Sequence, residues 1–221
     1  MRKLAWLIVA LTIIVAGCHH GRLSGVTGSG KRVAQKRDIG SFTSITTEGA
    51  FHIEVTCQKD PTLEIEADDN IIPLITTEIR NNVLNLSNSQ GYSVNEPIRI
   101  KLSVPNLEGL SVSGAGKIDI KGMNNDSFEI NSNGAPAIFV SGTTKTINID
   151  SSGAGQIDTQ NLRAARASVE AKGAAKIELD VDEQLDVTVS GPSSVFYKGN
   201  PSVNKTINGP GKVERRGSEG A

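Results

Sequence analysis

Large rings are scarce in this chain: five Phe, two Tyr and one Trp make up 4% of its 221 residues. A compact enzyme of this size usually fills its core with more bulky side chains, whereas repeat β folds tolerate small ones at every turn. Histidine is as sparse, at three. His19 and His20 adjoin without further ligands, and His52 stands alone at an outward strand position. Neither a metal set nor a nucleophile–base arrangement is outlined, and no cofactor is implied. Two cysteines, Cys18 and Cys57, are too few for a disulfide framework; with Cys18 acylated, Cys57 reads as a small half-buried strand residue. Neither sign of charge dominates. Of 23 basic residues, loss of Arg2 and Lys3 leaves 21 against 24 acids, a net charge near −3. Nucleic acid, which favours strongly basic domains, is not an expected partner. The Gly-x-Gly pieces at Gly114 and Gly153 precede no helical pattern, so they are not dinucleotide fingerprints.

One apolar run does occur, at the start. Arg2 and Lys3 precede Leu4 to Val15, followed by Ala16-Gly17-Cys18. The run is short for a membrane span and reads as a secretory signal over residues 1–17. Val15-Ala16-Gly17-Cys18 resembles the bacterial lipobox, and that resemblance implies a diacylglycerol on the Cys18 thiol, cleavage before it and acylation of the new amine. Multiple acyl chains hold a protein on a bilayer where one holds it marginally. His19 stands where an aspartate commonly retains Gram-negative lipoproteins in the inner membrane, so the expected location is the outer membrane. Residues 18–37 are rich in Gly, Ser and basic side chains and read as a flexible tether of roughly 25 Å r.m.s. span. Its cations, Arg22, Lys31, Arg32, Lys36 and Arg37, would either keep the tether soluble or lie against anionic head groups.

Glycine, at 23, is abundant and periodic. Gly114, Gly134, Gly153, Gly173, Gly191 and Gly209 open similar segments, spaced by 20, 19, 20, 18 and 18 residues. Four residues after each comes Ile118, Ile138, Ile157, Ile177, Val195 and Val213; two further on stand Ile120, Val140, Thr159, Leu179, Tyr197 and Arg215. Four before each comes Leu110, Ile130, Ile149, Val169, Val187 and Lys205. Six before, from the second glycine on, stand Phe128, Ile147, Ala167, Leu185 and Val203. Both pairs alternate with the period of a strand buried on one face. Each repeat therefore holds two short strands on either side of a glycine corner. A register that recurs every 18–20 residues predicts an all-β, single-domain parallel β-helix over residues 38–216, with a frayed tail at 217–221. Crossover preference favours a right-handed coil; a left-handed hexapeptide helix is the alternative, but its six-residue sub-period is missing. Lys205 and Arg215 fall in apolar columns, as suits a last coil that must face water.

The N-terminal half echoes the repeat. Ile45, Gly49, Ile53 and Val55 keep the same spacings, and further strands are expected at Leu63–Ala67, Val83–Leu86 and Ile98–Val104. Ile71 to Arg80 reads as a short helix or a strand, and Ser87 to Pro97 as a loop. This half is expected to form less regular coils with some antiparallel pairs.

Outward positions give candidate binding columns. Five residues after the repeat glycines come Asp119, Phe139, Asp158, Glu178, Phe196 and Glu214. The other strand presents Glu129, Asn148, Ser168 and Asp186, and beside them Asn131, Asp150, Glu170 and Thr188. Coils about 4.8 Å apart would stack these into ladders of carboxylates and amides. Such ladders are solvated faces, surfaces that meet glycans or cations, or an acid/base pair of a polysaccharide-active enzyme.

Phe42-Thr43-Ser44-Ile45, Gly49 to Val55, Asp68-Asp69-Asn70-Ile71-Ile72, Pro97-Ile98-Arg99-Ile100 and the Ser-Gly-Ala-Gly repeats together resemble the bacterial "putative auto-transporter adhesin, head GIN domain" family. The resemblance covers residues 38–216. It implies an exported β-helical domain with adhesin-like function and brings no catalytic residues. The expected function is a membrane-anchored, non-enzymatic domain meeting a glycan or an envelope protein. A polysaccharide-active enzyme and an envelope sensor are the alternatives.

Overall fold

The computed structural model describes residues 25–217. The expected signal segment, the Cys18 lipidation site and the last four residues lie outside the described residues. The strands follow in order: β1 Val26–Thr27, β2 Arg32–Arg37, β3 Ser44–Thr47, β4 Phe51–Cys57 and β5 Thr62–Asp68; then, after a 3-10 turn at Ile72–Leu74, β6 Ile75–Arg80, β7 Val83–Asn88, β8 Tyr92–Ser93, β9 Ile98–Val104 and β10 Gly109–Val112. Four long strands come next, β11 Lys117–Ser132, β12 Ala137–Ser151, β13 Gln156–Ala171 and β14 Lys176–Ser190, and the chain ends in β15 Ser194–Lys198, β16 Ser202–Asn208 and β17 Lys212–Arg215.

These strands wind into a parallel β-solenoid of about five turns. Each long strand bends within itself, so one coil runs corner, first arm, second bend, second arm. First arms stack in the order β9, β4, β11, β12, β13, β14, β15, β17. Second arms stack as β7, β3, β10, β11, β12, β13, β14, β16. Every neighbouring pair in both stacks is parallel.

The recurring aliphatics meet in register. Ile53, Ile118, Ile138, Ile157, Ile177, Val195 and Val213 form one inward column, none more than 6% exposed. Ile45, Leu110, Ile130, Ile149, Val169 and Val187 form the facing one, and both belong to one continuous core. Each buried Ile, Leu or Val contributes roughly 1.5–3 kcal/mol relative to exposure.

The corner glycines serve close approach. A Cβ on Gly114 would fall on the carbonyl oxygen of Gly49; one on Gly134, Gly153 or Gly173 would fall on the carbonyl of the corner glycine one coil back. Corner amides bond along the stack, as Ala154 N donates to Gly134 O at 2.8 Å. Spacing of 18 to 20 residues does not disturb the arms, because the surplus is confined to the second bend. Register shifts fall at Ile120/Met123, Phe139/Ser141, Thr159/Arg163 and Ala164/Arg166.

The N-terminal end is finished differently. β6 and β7 form an antiparallel hairpin through Asn81 and Asn82, whose φ values of 50° and 64° suit a two-residue turn. β9 pairs antiparallel with β5, and β5 with β2. Both readings of Ile71 to Arg80 apply in part: a 3-10 turn, then a strand.

Two boundaries differ from expectation. Residues 25–37 are not a free tether, since β2 pairs with β5 over six residues and β1 pairs with β8 inside the expected loop at 87–97. Two arginines, expected either to keep the tether soluble or to lie against head groups, instead tie this segment down. Arg37 donates to Ile75 O at 2.7 Å, Thr77 Oγ1 at 3.0 Å and Ile72 O at 3.1 Å, and burial lowers its pKa. Arg32 reaches Glu66 Oε1 at 3.3 Å and Pro97 O at 3.1 Å. At the opposite end Lys205 and Arg215 are exposed on the edge strands β16 and β17, where charge discourages strand addition.

One inward column carries hydroxyls. Thr47, Val112, Ser132, Ser151, Ala171 and Val189 stack just before the corner, and Thr47 Oγ1, Ser132 Oγ and Ser151 Oγ are buried without a partner. An unmatched buried hydroxyl costs about 1–3 kcal/mol. Ser151→Ala, which retains the small side chain that the next coil's Ala171 already uses, is expected to raise the thermal midpoint by a few degrees in a calorimetric scan. A lowered midpoint would show that Ser151 holds a partner.

Candidate functional site

The first-arm face carries one outward column from end to end: Lys101, Glu54, Asp119, Phe139, Asp158, Glu178, Phe196, Glu214. Beside it runs Arg99, His52, Lys117, Ala137, Gln156, Lys176, Ser194, Lys212. The two columns satisfy each other. Lys117 Nζ is 2.9 Å from Asp119 Oδ2 and His52 Nε2 is 3.4 Å from it. Lys176 Nζ is 2.8 Å from Glu178 Oε2, and the Arg216 guanidinium caps Oε1. Glu178 is therefore only 3% exposed, although it points away from the core. The phenylalanines are covered by cations: Lys117 Nζ lies 5.3 Å from the Phe139 ring centre, and Lys212 Nζ and the Arg216 guanidinium lie 4.9 and 4.1 Å from that of Phe196.

Asp119, Phe139 and Asp158 line a small recess of about 210 Å³. The two carboxylates are two rungs apart, roughly 10 Å on the ladder spacing, which is near the separation of an inverting glycosidase pair. Phe139 stands between them, where a water or sugar ring would have to sit, and Asp158 is already engaged by the backbone N–H of Gln160 at 3.1 Å.

The second-arm face presents Glu129, Asn148, Ser168, Asp186 and Asn204 in one column and Asn131, Asp150, Glu170, Thr188 and Thr206 in the next. Glu129 accepts from Asn131 at 2.8 Å and Asp186 from Gln184 at 2.7 Å. Lys172 bridges Glu170 at 3.0 Å and Asp150 at 3.6 Å, and the Glu170 hydrogen bond, first among the causes, raises the lysine pKa. The structure does not bring the two sets of candidates together, since they occupy different arms of the coil. Among the described residues no group of three or more His, Cys, Asp or Glu is placed to hold a metal ion.

A larger concavity went unread in the sequence. It occupies about 930 Å³ at the second bend, between the Pro105–Glu108 loop, Gln58 and Ser44 on one side and the bends of β11 and β12 on the other. Of the sequence-predicted candidates, only Glu129 lines it. The available signal was the pair of polar runs Asn124 to Ser127 and Thr143 to Lys145, which begin ten residues after Gly114 and nine after Gly134.

Cys57 is free and 4% exposed, and burial pushes its thiol up to about 11. At pH 7.5 only about one molecule in three thousand carries the thiolate. The native protein is expected to resist a thiol reagent at that pH for hours and react fully in denaturant. Rapid labelling of the native state would contradict this burial.

Stacked rungs, paired ladders and a continuous aliphatic core define a parallel β-solenoid. The chain belongs to the family described as "Putative auto-transporter adhesin, head GIN domain", whose profile matches residues 41–201. Among solved structures it is similar to a putative adhesin from Bacteroides fragilis, 25% identical over 87% of this chain and 100% of that one, with a TM-score of 0.70. A putative adhesin from Parabacteroides merdae (18% identical, TM-score 0.58) and a putative lipid binding protein from Parabacteroides distasonis (19%, TM-score 0.55) share the fold, each over 87% of this chain and 99% of its own. No curated protein matches the chain in sequence.

Proposed function

We propose that this chain is a lipid-anchored, non-catalytic adhesin-like protein whose solenoid presents a rigid surface to a cell-surface or envelope partner. The observation that carries the reading is the unbroken registration of outward side chains over successive coils. A surface fixed by its own backbone ladder loses little freedom on binding, and the carboxylates that an enzyme would need free are held by neighbouring cations and amides. The family's adhesin naming supports the same reading.

The anchor is Cys18, in the outer membrane of a Gram-negative cell. Because β1 begins at Val26, seven residues separate it from the acylated cysteine. They reach at most about 25 Å, so the solenoid stays close to the bilayer.

Fractionation of cells with mass spectrometry of the purified chain tests the anchor, and adhesion of protein-coated beads to cells tests the contact. The expected results are a diacylated Cys18, a soluble Cys18→Ser variant, bead adhesion, and intact polysaccharides after prolonged incubation. Membrane retention of Cys18→Ser, or turnover of a polysaccharide, would overturn the reading.

A further inference from the structure

The second-bend groove has a composition that narrows what it can hold. Its walls carry the amides of Gln58, Asn106, Asn124 and Asn125, the hydroxyls of Ser44, Ser127, Thr143 and Thr144, and the carboxylates of Glu108, Asp126 and Glu129; Pro105 is the one apolar side chain. The single lysine, Lys145, is held by Asp126 at 2.7 Å, so no free cation greets an anionic ligand. No aromatic ring lines the groove for a flat heterocycle to stack on, and no apolar wall would take an acyl chain. Glu108 accepts from Asn106 at 2.9 Å and Glu129 from Asn131 at 2.8 Å, each with acceptor sites to spare, and among the described residues no group of three or more His, Cys, Asp or Glu is placed to hold a metal ion. What remains complementary is an uncharged molecule bearing many hydroxyls, each both donor and acceptor. Side-chain amides offer both functions in one plane, and carboxylates accept strongly.

The volume falls within the range of about 300–1,000 Å³ usual for small-ligand sites. The walls are also held in place. Gln58, left-handed at φ 64°, donates through Nε2 to Pro105 O at 3.1 Å and Asn124 O at 3.3 Å, which ties the loop to the bend. Asn125 Nδ2 donates to Leu107 O, while its Oδ1 is buried with no donor.

We infer that this groove is a recognition site for a neutral glycan, formed where the first coil, the Pro105–Glu108 loop and the second bends of β11 and β12 meet. The inference rests on the adhesin-like reading and gives it a site and a ligand class. Glu108, Asn106, Asn124 and Thr143 meet the sugar hydroxyls.

The test uses the full chain in detergent on an array of neutral hexasaccharides of glucose, mannose, xylose and N-acetylglucosamine. Polygalacturonate and heparin serve as anionic comparators, and hits are titrated by calorimetry. At least one neutral oligosaccharide is expected to bind, with both polyanions excluded. Asn124→Ala and the double variant Asn106→Ala/Glu108→Ala, at two exposed positions and one half-buried one (Asn106), should each weaken binding tenfold or more with an unchanged melting curve. Lys205→Ala, on the far edge strand β16, should leave affinity unchanged. Binding by none of the neutral glycans, preference for a polyanion, or indifference to the groove variants would overturn the proposal. If the groove variants still carry beads to cells, the adhesin-like reading stands and the site lies elsewhere; if the unaltered chain carries none, that reading fails first.

Discussion

Gly153→Ala is expected to lower folding stability by about 3 kcal/mol or more, the upper end of overpacking costs, although it adds a single methyl group. The new Cβ would fall on the carbonyl oxygen of Gly134 and within 2.8 Å of its N and C atoms. Those are backbone atoms inside a ladder, so they cannot turn aside as a flexible side chain would. Gly153 is absent from the positive-φ glycines, so the loss reports contact between coils and not backbone strain. Gly40→Ala is the matching control: its Cβ would meet only Ile79 Cδ1 at 4.0 Å, and a change of less than about 1 kcal/mol in either direction is expected. Guanidinium unfolding of both variants decides the matter. Equal midpoints would mean that the corner glycines do not hold the coils at contact distance.

The second large effect concerns the core column. Ile157 is fully buried between Ile138 and Ile177, and Ile157→Ala should cost about 2–5 kcal/mol. Val213 occupies the same column on the edge strand, with Val195 as its one ladder partner, and is 6% exposed. Val213→Ala should cost about 1.5 kcal/mol, close to the transfer value of the two lost carbons. In a solenoid each coil leans only on its neighbours, so each carbon removed weighs more in the middle of the stack than at its end. Comparable losses per carbon removed at both positions in denaturant titrations would argue for a globally shared core in place of a layered one.

Much of this architecture was legible because the repeat writes it many times. The glycine at each corner and the aliphatics four residues to either side are local signals, and the echo at Ile45, Gly49 and Ile53 is an additional rung, in register with Leu110, Gly114 and Ile118. Features set by distant partners were not legible. β2 shows no apolar alternation; it is a strand because β5 offers an open edge and because Arg32 and Arg37 find carbonyls 34 to 65 residues away. Glu178 looks like an open surface acid in sequence, yet Arg216, 38 residues on, folds over it. The groove escaped notice for a related reason: it lies at the second bend, where coil lengths vary and the periodicity is broken by bulges.

The central claim is that equivalent residues in successive coils lie directly above one another. Nitroxide pairs on the outward-facing second-arm column test it most directly, with Ser111 as the fixed site and Asp150, Thr188 or Thr206 as the second, these being two, four and five rungs away. Pulsed electron resonance should give separations rising steadily by about 4.8 Å per rung, near 10, 19 and 24 Å between the labelled backbones. Separations that fail to rise with rung number, as in strands joined head-to-tail by hairpins, would contradict the stack and the surface built on it.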